Sequence, residues 1–427
     1  MSSSIKDSAD AGRFKNTFRA LRHRNYRLFF FGQGISLIGT WTQQIALSWL
    51  VYRLTGSTVL LGTVAFCSQI PMLFLGPFAG VCADRFDRKK LLFWTQALAM
   101  VQAFVLAGLV LCGVIRTWEI VALSCMIGVI YAFDIPIRQS FVLAMVDKRD
   151  DLGNAIALSS AMFNGARLLG PAIAGILISA FGEGICFLIN AFSFIAVLAA
   201  LQAIKVAKRQ PNGRKGRVFG EFREAAVYAR RFEPIFAILV MLSVFALAGS
   251  PYTVLMPAFV KNVLHGNADT YGFLMSSSGL GAIAGTIYLA SRKNAQGLIK
   301  AIPAAMGLFG AAMVAFSLSR ASSTCVFFIF FASFSMMIQI ASSNTIIQTV
   351  VDEDKRGRVM SLYAMSLMGV MPFGGLLAGS IAGKISVRYT LLAGAVICMV
   401  AAVVFSSRLS RLTRMLQPLF TNQPVKR

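Results

Sequence analysis

The sequence predicts an all-α membrane protein with twelve transmembrane helices in two pseudo-symmetric six-helix bundles, and three observations support this fold class. Of the 427 residues, 57% are hydrophobic and only 14% are charged, whereas a soluble domain is about a quarter charged. Twelve apolar runs are each long enough for a span, which takes about 20 residues. The basic residues are concentrated in alternate loops, as in other multi-span membrane proteins.

The twelve predicted spans divide the chain into five regions. The spans are placed at 28–52, 57–82, 90–114, 118–143, 153–181, 184–204, 234–259, 270–290, 299–319, 323–349, 358–383 and 388–406. The regions are a cytoplasmic N-tail at 1–27, a first bundle at 28–204, a basic cytoplasmic linker at 205–233, a second bundle at 234–406 and a cytoplasmic C-tail at 407–427. Six spans therefore precede the linker and six follow it.

The distribution of Lys and Arg predicts the orientation of the chain. With the N-terminus in the cytoplasm, 34 of the 41 basic residues lie on the cytoplasmic side and six lie on the other side, while Arg167 lies within a span. Basic residues are retained on the cytoplasmic side of membranes. We therefore expect both termini in the cytoplasm and the chain in the cell inner membrane. The net charge of +24 then reflects topology, and no nucleic-acid partner is expected.

Two segments of similar pattern, at 146–175 and 351–379, indicate an internal repeat. Each begins with Val-Asp and a charged loop, and each continues into an apolar run that carries a stripe of small residues. Transporters that consist of two related halves show this kind of weak repeat. The repeat predicts that the two bundles share one architecture.

A charged motif follows the second predicted span. Gly80 would let a neighbouring helix approach, and a carboxylate such as Asp84 is favoured at a helix N-terminus. The motif comprises Gly80, Asp84, Arg85, Arg88 and Lys89, and it resembles the pattern of the major facilitator superfamily, with Asp87 in place of the second glycine. The resemblance implies a conformational latch between the two bundles. The alternative is a loop that is basic only because it is cytoplasmic.

Two further stretches resemble one branch of that superfamily, the branch that includes the enterobactin exporter and macrolide efflux proteins. Span 4 ends in FDIPIRQ, and span 5 contains NGARLLGPAIAG. Within span 5, Gly170, Pro171 and Gly175 are similar to the family's antiporter motif, although Ala166 and Ala174 stand where the motif has glycines. The resemblance implies antiport. Close helix packing by small residues is the alternative role.

Asp134 and Arg167 are the two charges that lie well inside predicted spans. Each costs about 2.5–3.5 kcal/mol at the centre of a membrane on insertion scales. From the cytoplasmic edge of their spans, Asp134 lies about 14 Å deep and Arg167 about 21 Å deep. We expect a coupled proton or substrate site, with Asp134 as the proton acceptor. A structural ion pair is the alternative, and Arg138, one turn after Asp134, is a competing partner.

Several uncharged polar residues are expected to line a central cavity. The resemblance implies that spans 1, 2, 4, 5, 7, 8, 10 and 11 face this cavity. The candidates on these spans are Gln33, Gln43, Gln69, Asn164, Gln339 and Asn344. Hydrogen bonding between helices is the alternative role for each of them.

These observations predict a secondary active transporter that exports a drug, a macrolide or a siderophore by alternating access, with protons as coupling ion. An importer or a lysophospholipid flippase on the same fold remains the main alternative, and a membrane enzyme or a non-transporting scaffold is a third. The sequence has no phosphate-binding motif for ATP hydrolysis and no catalytic cluster. We expect no enzymatic activity, cofactor or metal, and a monomer in the lipid bilayer.

Overall fold

A computed structural model of the protein describes residues 19–146, 149–205, 227–292 and 297–421. All regular secondary structure within these ranges is helical, which confirms the all-α prediction. Eleven helical spans of the described residues are long and apolar enough to cross a membrane. The twelfth is the first long helix, of 32 residues, which is more polar because it carries Gln33, Gln43 and Gln44.

The first half of the chain forms helices α1 to α6. These are α1 Arg24–Thr55, α2 Thr58–Arg85, α3 Arg88–Leu111, α4 Thr117–Ala144, α5 Arg149–Phe181 and α6 Glu183–Ala203. Gly56, with φ of 62°, ends α1 in a left-handed conformation that suits glycine. Ser57 then begins α2 by accepting a hydrogen bond from the Leu60 backbone N–H at 3.2 Å.

The second half forms helices α7 to α12 and a short C-terminal helix α13. These are α7 Glu233–Asn262, α8 Ala268–Ala290, α9 Leu298–Leu318, α10 Ser322–Val350, α11 Glu353–Lys384, α12 Val387–Ser407 and α13 Leu409–Thr421. Two of these spans are interrupted by a π-helical turn, α7 at Phe245–Gly249 and α11 at Met365–Gly369. The sequence predicts both spans as continuous, because one extra residue per turn leaves no mark in an apolar run.

The helices pack into two halves that meet along two seams. In the first half, α1 packs on α5 and α6, α2 on α4, and α3 on α4 and α6. In the second half, α8 packs on α10, and α9 packs on α10 and α12. The seams between the halves are α2 with α11 and α5 with α8. Below, the terminal side is the end of the molecule where α1 begins and α12 ends, and the distal side is the opposite end.

Large apolar side chains cover the outside of the bundle. Trp94, Phe192 and Val403 have exposed fractions of 65%, 55% and 69%. A soluble protein rarely exposes so many large apolar groups. The exposed surface therefore suits lipid, which agrees with the predicted membrane location of the helices.

The helices extend a few residues beyond the predicted spans, because helical hydrogen bonding continues past the apolar run into polar residues. Residues 206–226 of the predicted linker and most of the predicted N-tail lie outside the described ranges. The predicted C-tail contains α13, whose Leu412 and Leu416 are buried and whose Arg411 pairs with Glu233 at 2.9 Å. This helix is not among those predicted from the sequence.

Candidate functional site

The seam between α5 and α8 is closed towards the distal side by small residues. Gly175 and Gly272 face each other so closely that a Cβ at Gly272 would lie 2.8 Å from the Pro171 carbonyl oxygen and 2.9 Å from the Gly175 Cα. The predicted antiporter-like motif therefore lies in the contact between the two halves. Gly170, its first glycine, leaves room for Trp41 and the backbone of α1.

The other seam is closed at the same side of the molecule. The Thr58 hydroxyl donates to the Gly379 carbonyl at 2.8 Å. A Cβ at Gly62 would lie 2.7 Å from the Gly375 carbonyl oxygen. Between the seams, the Asn262 amide of α7 donates to the Tyr52 hydroxyl of α1 at 2.6 Å. These contacts join both halves over the distal part of the helices.

One face of α5 is exposed towards the terminal side and buried towards the distal side. Ile156, Ser160, Phe163 and Arg167 follow a spacing of three and four residues, which places them on one face, and all four are exposed or partly exposed. The same face continues with Pro171, Ala174 and Ile178, which are buried. It lies between the residues that contact α1 and those that contact α8, so it faces the space between the halves.

The facing helix α8 changes exposure in the same direction. Gly272 and Gly279 are buried against α5, whereas Thr286, seven residues further on the same face, is exposed. Leu169 and Ile176 on another face of α5 are exposed at 48% and 63%, as expected for a lipid-facing surface. The space between the halves is therefore open to the terminal side and closed to the distal side.

Asp134 lies inside the first half, between α3 and α4, with an exposed fraction of 1%. Its Oδ1 accepts hydrogen bonds from the Thr95 hydroxyl at 2.9 Å and the Gln96 amide at 2.6 Å. Its Oδ2 makes no hydrogen bond within the described structure and lies 3.4 Å from the Arg138 guanidinium. Two hydrogen-bond donors and one cation thus surround the carboxylate within the described structure.

Arg167 does not contact Asp134 within the described part of the chain, although the sequence analysis expected the two to form one site. Its guanidinium lies over the Trp41 ring, 6.0 Å from the centroid. The reason is helix arrangement: α4 packs chiefly on α2 and α3, whereas α5 packs on α1 and α8. Asp134 instead pairs with Arg138, the partner that is one turn away on its own helix.

The predicted cavity-lining residues fall into two groups. Gln33 and Gln339 are buried, at 1% and 0% exposure. Gln43 is also buried, and it bonds to Asn190 at 2.8 Å and to Gln102 at 3.2 Å. These three therefore lie inside the helix bundles in this state. The partly exposed group contains Gln69, Asn164 and Asn344.

The predicted latch motif lies at the terminal end of α2 and the start of α3. Gly80, Asp84 and Arg85 are in the last turns of α2, and their side chains fall outside those described. Asp87 begins α3 by accepting from the backbone N–H of Lys89 at 2.9 Å and Lys90 at 3.3 Å. The Lys89 side chain donates to the Ile204 carbonyl at 2.6 Å, at the end of α6. Arg88 is partly exposed at the start of α3.

The sequence alone does not single out Thr95 and Gln96, the two donors to Asp134. The resemblance implies a cavity lined by other spans, so the candidate residues come from those spans and not from span 3. The available signal was two adjacent polar residues in a largely apolar run. Polar groups inside a membrane helix need partners within the protein, and the neighbouring span offered a carboxylate.

The sequence is similar to a described protein family over nearly its whole length. The profile of the family "Transmembrane secretion effector" matches residues 15–421. The staphyloferrin A transporter of Staphylococcus aureus (strain NCTC 8325 / PS 47) is 26% identical over 397 residues, which cover 90% of this chain and 96% of the relative. Macrolide efflux protein A of Streptococcus pyogenes is 22% identical over 396 residues, with the same coverage of 90% and 96%.

Solved structures share the fold at low sequence identity. The nucleoside transporter NupG superposes with a TM-score of 0.71 at 13% identity, covering 90% of this chain and 98% of that one. A bacterial homologue of the iron transporter ferroportin, in an inward-facing state, superposes with a TM-score of 0.68 at 17% identity, covering 90% and 99%. The predicted fold of two six-helix bundles is confirmed by these likenesses.

Proposed function

The chain belongs to the transmembrane secretion effector family of the major facilitator superfamily, a family of membrane transporters and not of enzymes, and on that premise we propose that it exports small molecules in exchange for protons. The proposed location is the cell inner membrane, with the terminal side in the cytoplasm and a monomer as the working unit. The proposed cycle is alternating access.

The observation that carries the proposal is the change of exposure along α5. Its face is exposed from Ile156 to Arg167 and buried from Pro171 to Ile178. If the terminal side is cytoplasmic, as the 34 basic residues on that side favour, this state would admit a molecule from the cytoplasm. Separation of Gly175 from Gly272 at the distal side would then release it outside.

The Asp134 site supports proton coupling. In the described state the carboxylate is stabilised by Thr95, Gln96 and Arg138. A buried carboxylate without such partners is less stable than the neutral acid. Rotation of the Arg138 side chain away from Asp134 would therefore favour uptake of a proton, and its return would favour release. Arg138, partly exposed at 20% of its side chain, is the movable partner in this scheme.

The relatives favour export and suggest which molecules to test. One relative is called a macrolide efflux protein and another a staphyloferrin A transporter. We propose a drug, a macrolide or a siderophore as substrate. The motif of Gly170, Pro171 and Gly175 is proposed to serve antiport by letting the halves meet, and the loop from Gly80 to Lys89 is proposed as the latch on the terminal side.

Accumulation in cells tests the proposal. The chain is expressed in a host that lacks its own drug exporters, and uptake of labelled erythromycin, ethidium and a carboxylate siderophore is measured. We expect lower accumulation of at least one compound, and restoration of accumulation by a protonophore. Unchanged accumulation of all three contradicts export, and a rise in accumulation supports an importer instead.

A further inference from the structure

Arg167 carries a positive charge that no carboxylate of the described residues balances. Its described contact is the Trp41 ring at 6.0 Å. Asp134 and Arg138, the charged pair within α4, face each other at 3.4 Å. Because an arginine side chain stays protonated, Arg167 places a positive charge on the face of α5 that borders the space between the halves.

Arg167 lies at the inner end of the open space between the halves. It is the last partly exposed residue of the α5 face before the buried Pro171. The guanidinium therefore lies at the closed end of the opening, where a molecule that enters from the terminal side would come to rest. Beside it, the edge of the Phe163 ring meets the Trp41 ring, with centroids 5.7 Å apart, so aromatic surfaces adjoin the charge.

The surrounding groups leave the guanidinium available to a ligand. The guanidinium of Arg167 lies over the Trp41 ring at 6.0 Å, and none of its five N–H donors makes a hydrogen bond to a described residue. A planar fork of N–H donors matches a carboxylate with two parallel hydrogen bonds. Exposed Gln44, three residues after Trp41 on α1, adds a neutral amide to the same region.

We infer that Arg167 binds a carboxylate group of the transported molecule, so that the substrate class is small organic anions with an apolar or aromatic part against Trp41. This inference rests on the proposed function and narrows its substrate. A role of Arg167 as a purely structural charge would give it no preference among ligands.

The fluorescence of Trp41 reports on this site directly. The chain has four tryptophans, so Trp49→Phe, Trp94→Phe and Trp118→Phe leave Trp41 as the single reporter. The full chain in detergent is titrated with benzoate, citrate and inorganic phosphate, and with tetraphenylphosphonium as a cation. We expect a saturable change in emission with at least one carboxylate and none with the cation.

Variants of the arginine separate binding from structure. Arg167→Gln is expected to weaken carboxylate binding at least tenfold, and Arg167→Lys to weaken it less. Arg320→Gln, which removes an exposed arginine between α9 and α10, serves as matched control and should bind as before. If Arg167→Gln does not fold, the titration of the Trp41 reporter still tests whether a carboxylate binds, because that experiment needs no change at Arg167.

The inference is overturned by the absence of a saturable response to any carboxylate, or by equal binding by the Arg167→Gln variant. A response to phosphate or to the cation alone also overturns it. The titration uses no gradient, so its failure is distinct from failure of the proposed function. Carboxylate binding without gradient-driven transport would sustain the inference and contradict the proton-driven exporter.

Discussion

The carboxylate of Asp134 and the guanidinium of Arg138 lie 3.4 Å apart, one turn along α4. The acid is almost completely buried, whereas the base is partly exposed. Thr95 and Gln96 of α3 hold the other carboxylate oxygen. The pair therefore joins a fixed carboxylate to a movable cation, which is the arrangement on which proton coupling is proposed to depend.

Removal of Arg138 is predicted to destabilise the protein. Arg138→Gln would leave the buried Asp134 without its cation, and breaking a buried pair costs about 3–5 kcal/mol, with the lower end expected here because Arg138 is partly exposed. Thermal unfolding in detergent should show a lower midpoint than for Arg320→Gln. The double variant Asp134→Asn with Arg138→Gln should recover most of the loss. Equal midpoints for Arg138→Gln and the control contradict a stabilising pair.

A larger side chain at Gly272 is predicted to open the distal side. In Gly272→Val the new Cβ would meet the Pro171 carbonyl. Overpacking of this kind costs about 1–3 kcal/mol in the state that is closed at the distal side. Because about 1.4 kcal/mol is a tenfold change in an equilibrium constant, the population shifts towards the state that is open there. Distances between spin labels at Arg116 and Lys261, exposed residues of the two halves near the distal side, should lengthen in most molecules when measured by pulsed EPR. Gly108→Val is the control, since a Cβ at Gly108 meets no atom within 4 Å. An unchanged distance distribution in Gly272→Val contradicts the claim that close packing at Gly272 keeps the distal side closed.

The loop between α2 and α3 is predicted to act as a latch. Asp84→Asn should slow transport several-fold without reducing the amount of protein in the membrane. Asp87→Gly should be tolerated, because Asp87 caps α3 and glycine at this position costs only a few tenths of a kcal/mol. Transport rates normalised to protein abundance check both variants. Native-rate transport by Asp84→Asn refutes the latch.

Both termini are predicted to lie in the cytoplasm. The 34-to-6 distribution of basic residues places the linker and the C-terminal segment on the same side as the N-terminus. Alkaline phosphatase fused after residue 220 or after residue 415 should be inactive, and green fluorescent protein at the same points should fluoresce. An active phosphatase at either position contradicts the topology.

The sequence predicted the helices well, because the apolar run that marks each helix is a local signal. It predicted the site less well, because the contacts of the site join residues on different helices. Apolar runs mark α1 to α12 regardless of what they pack against. The partner of Asp134 depends on whether α4 adjoins α3 or α5, which no periodicity reveals. The same holds for Gln43, whose amide bonds to Asn190 and Gln102 of two other helices. The π-helical turns were not predicted because each adds only one residue within an apolar run. Helix α13 was not predicted because it is short and more polar than a span.

Transport under an imposed pH gradient tests the central claim, proton-driven export, most directly. Proteoliposomes with an acidic lumen are placed in a neutral bath that contains a labelled compound identified by the cell assay. Protons that leave the lumen should drive the compound inward, so the wild type should accumulate it above the bath concentration. The double variant Asp134→Asn with Arg138→Gln should only equilibrate it. Accumulation that ignores the gradient, or that requires an alkaline lumen, contradicts the account.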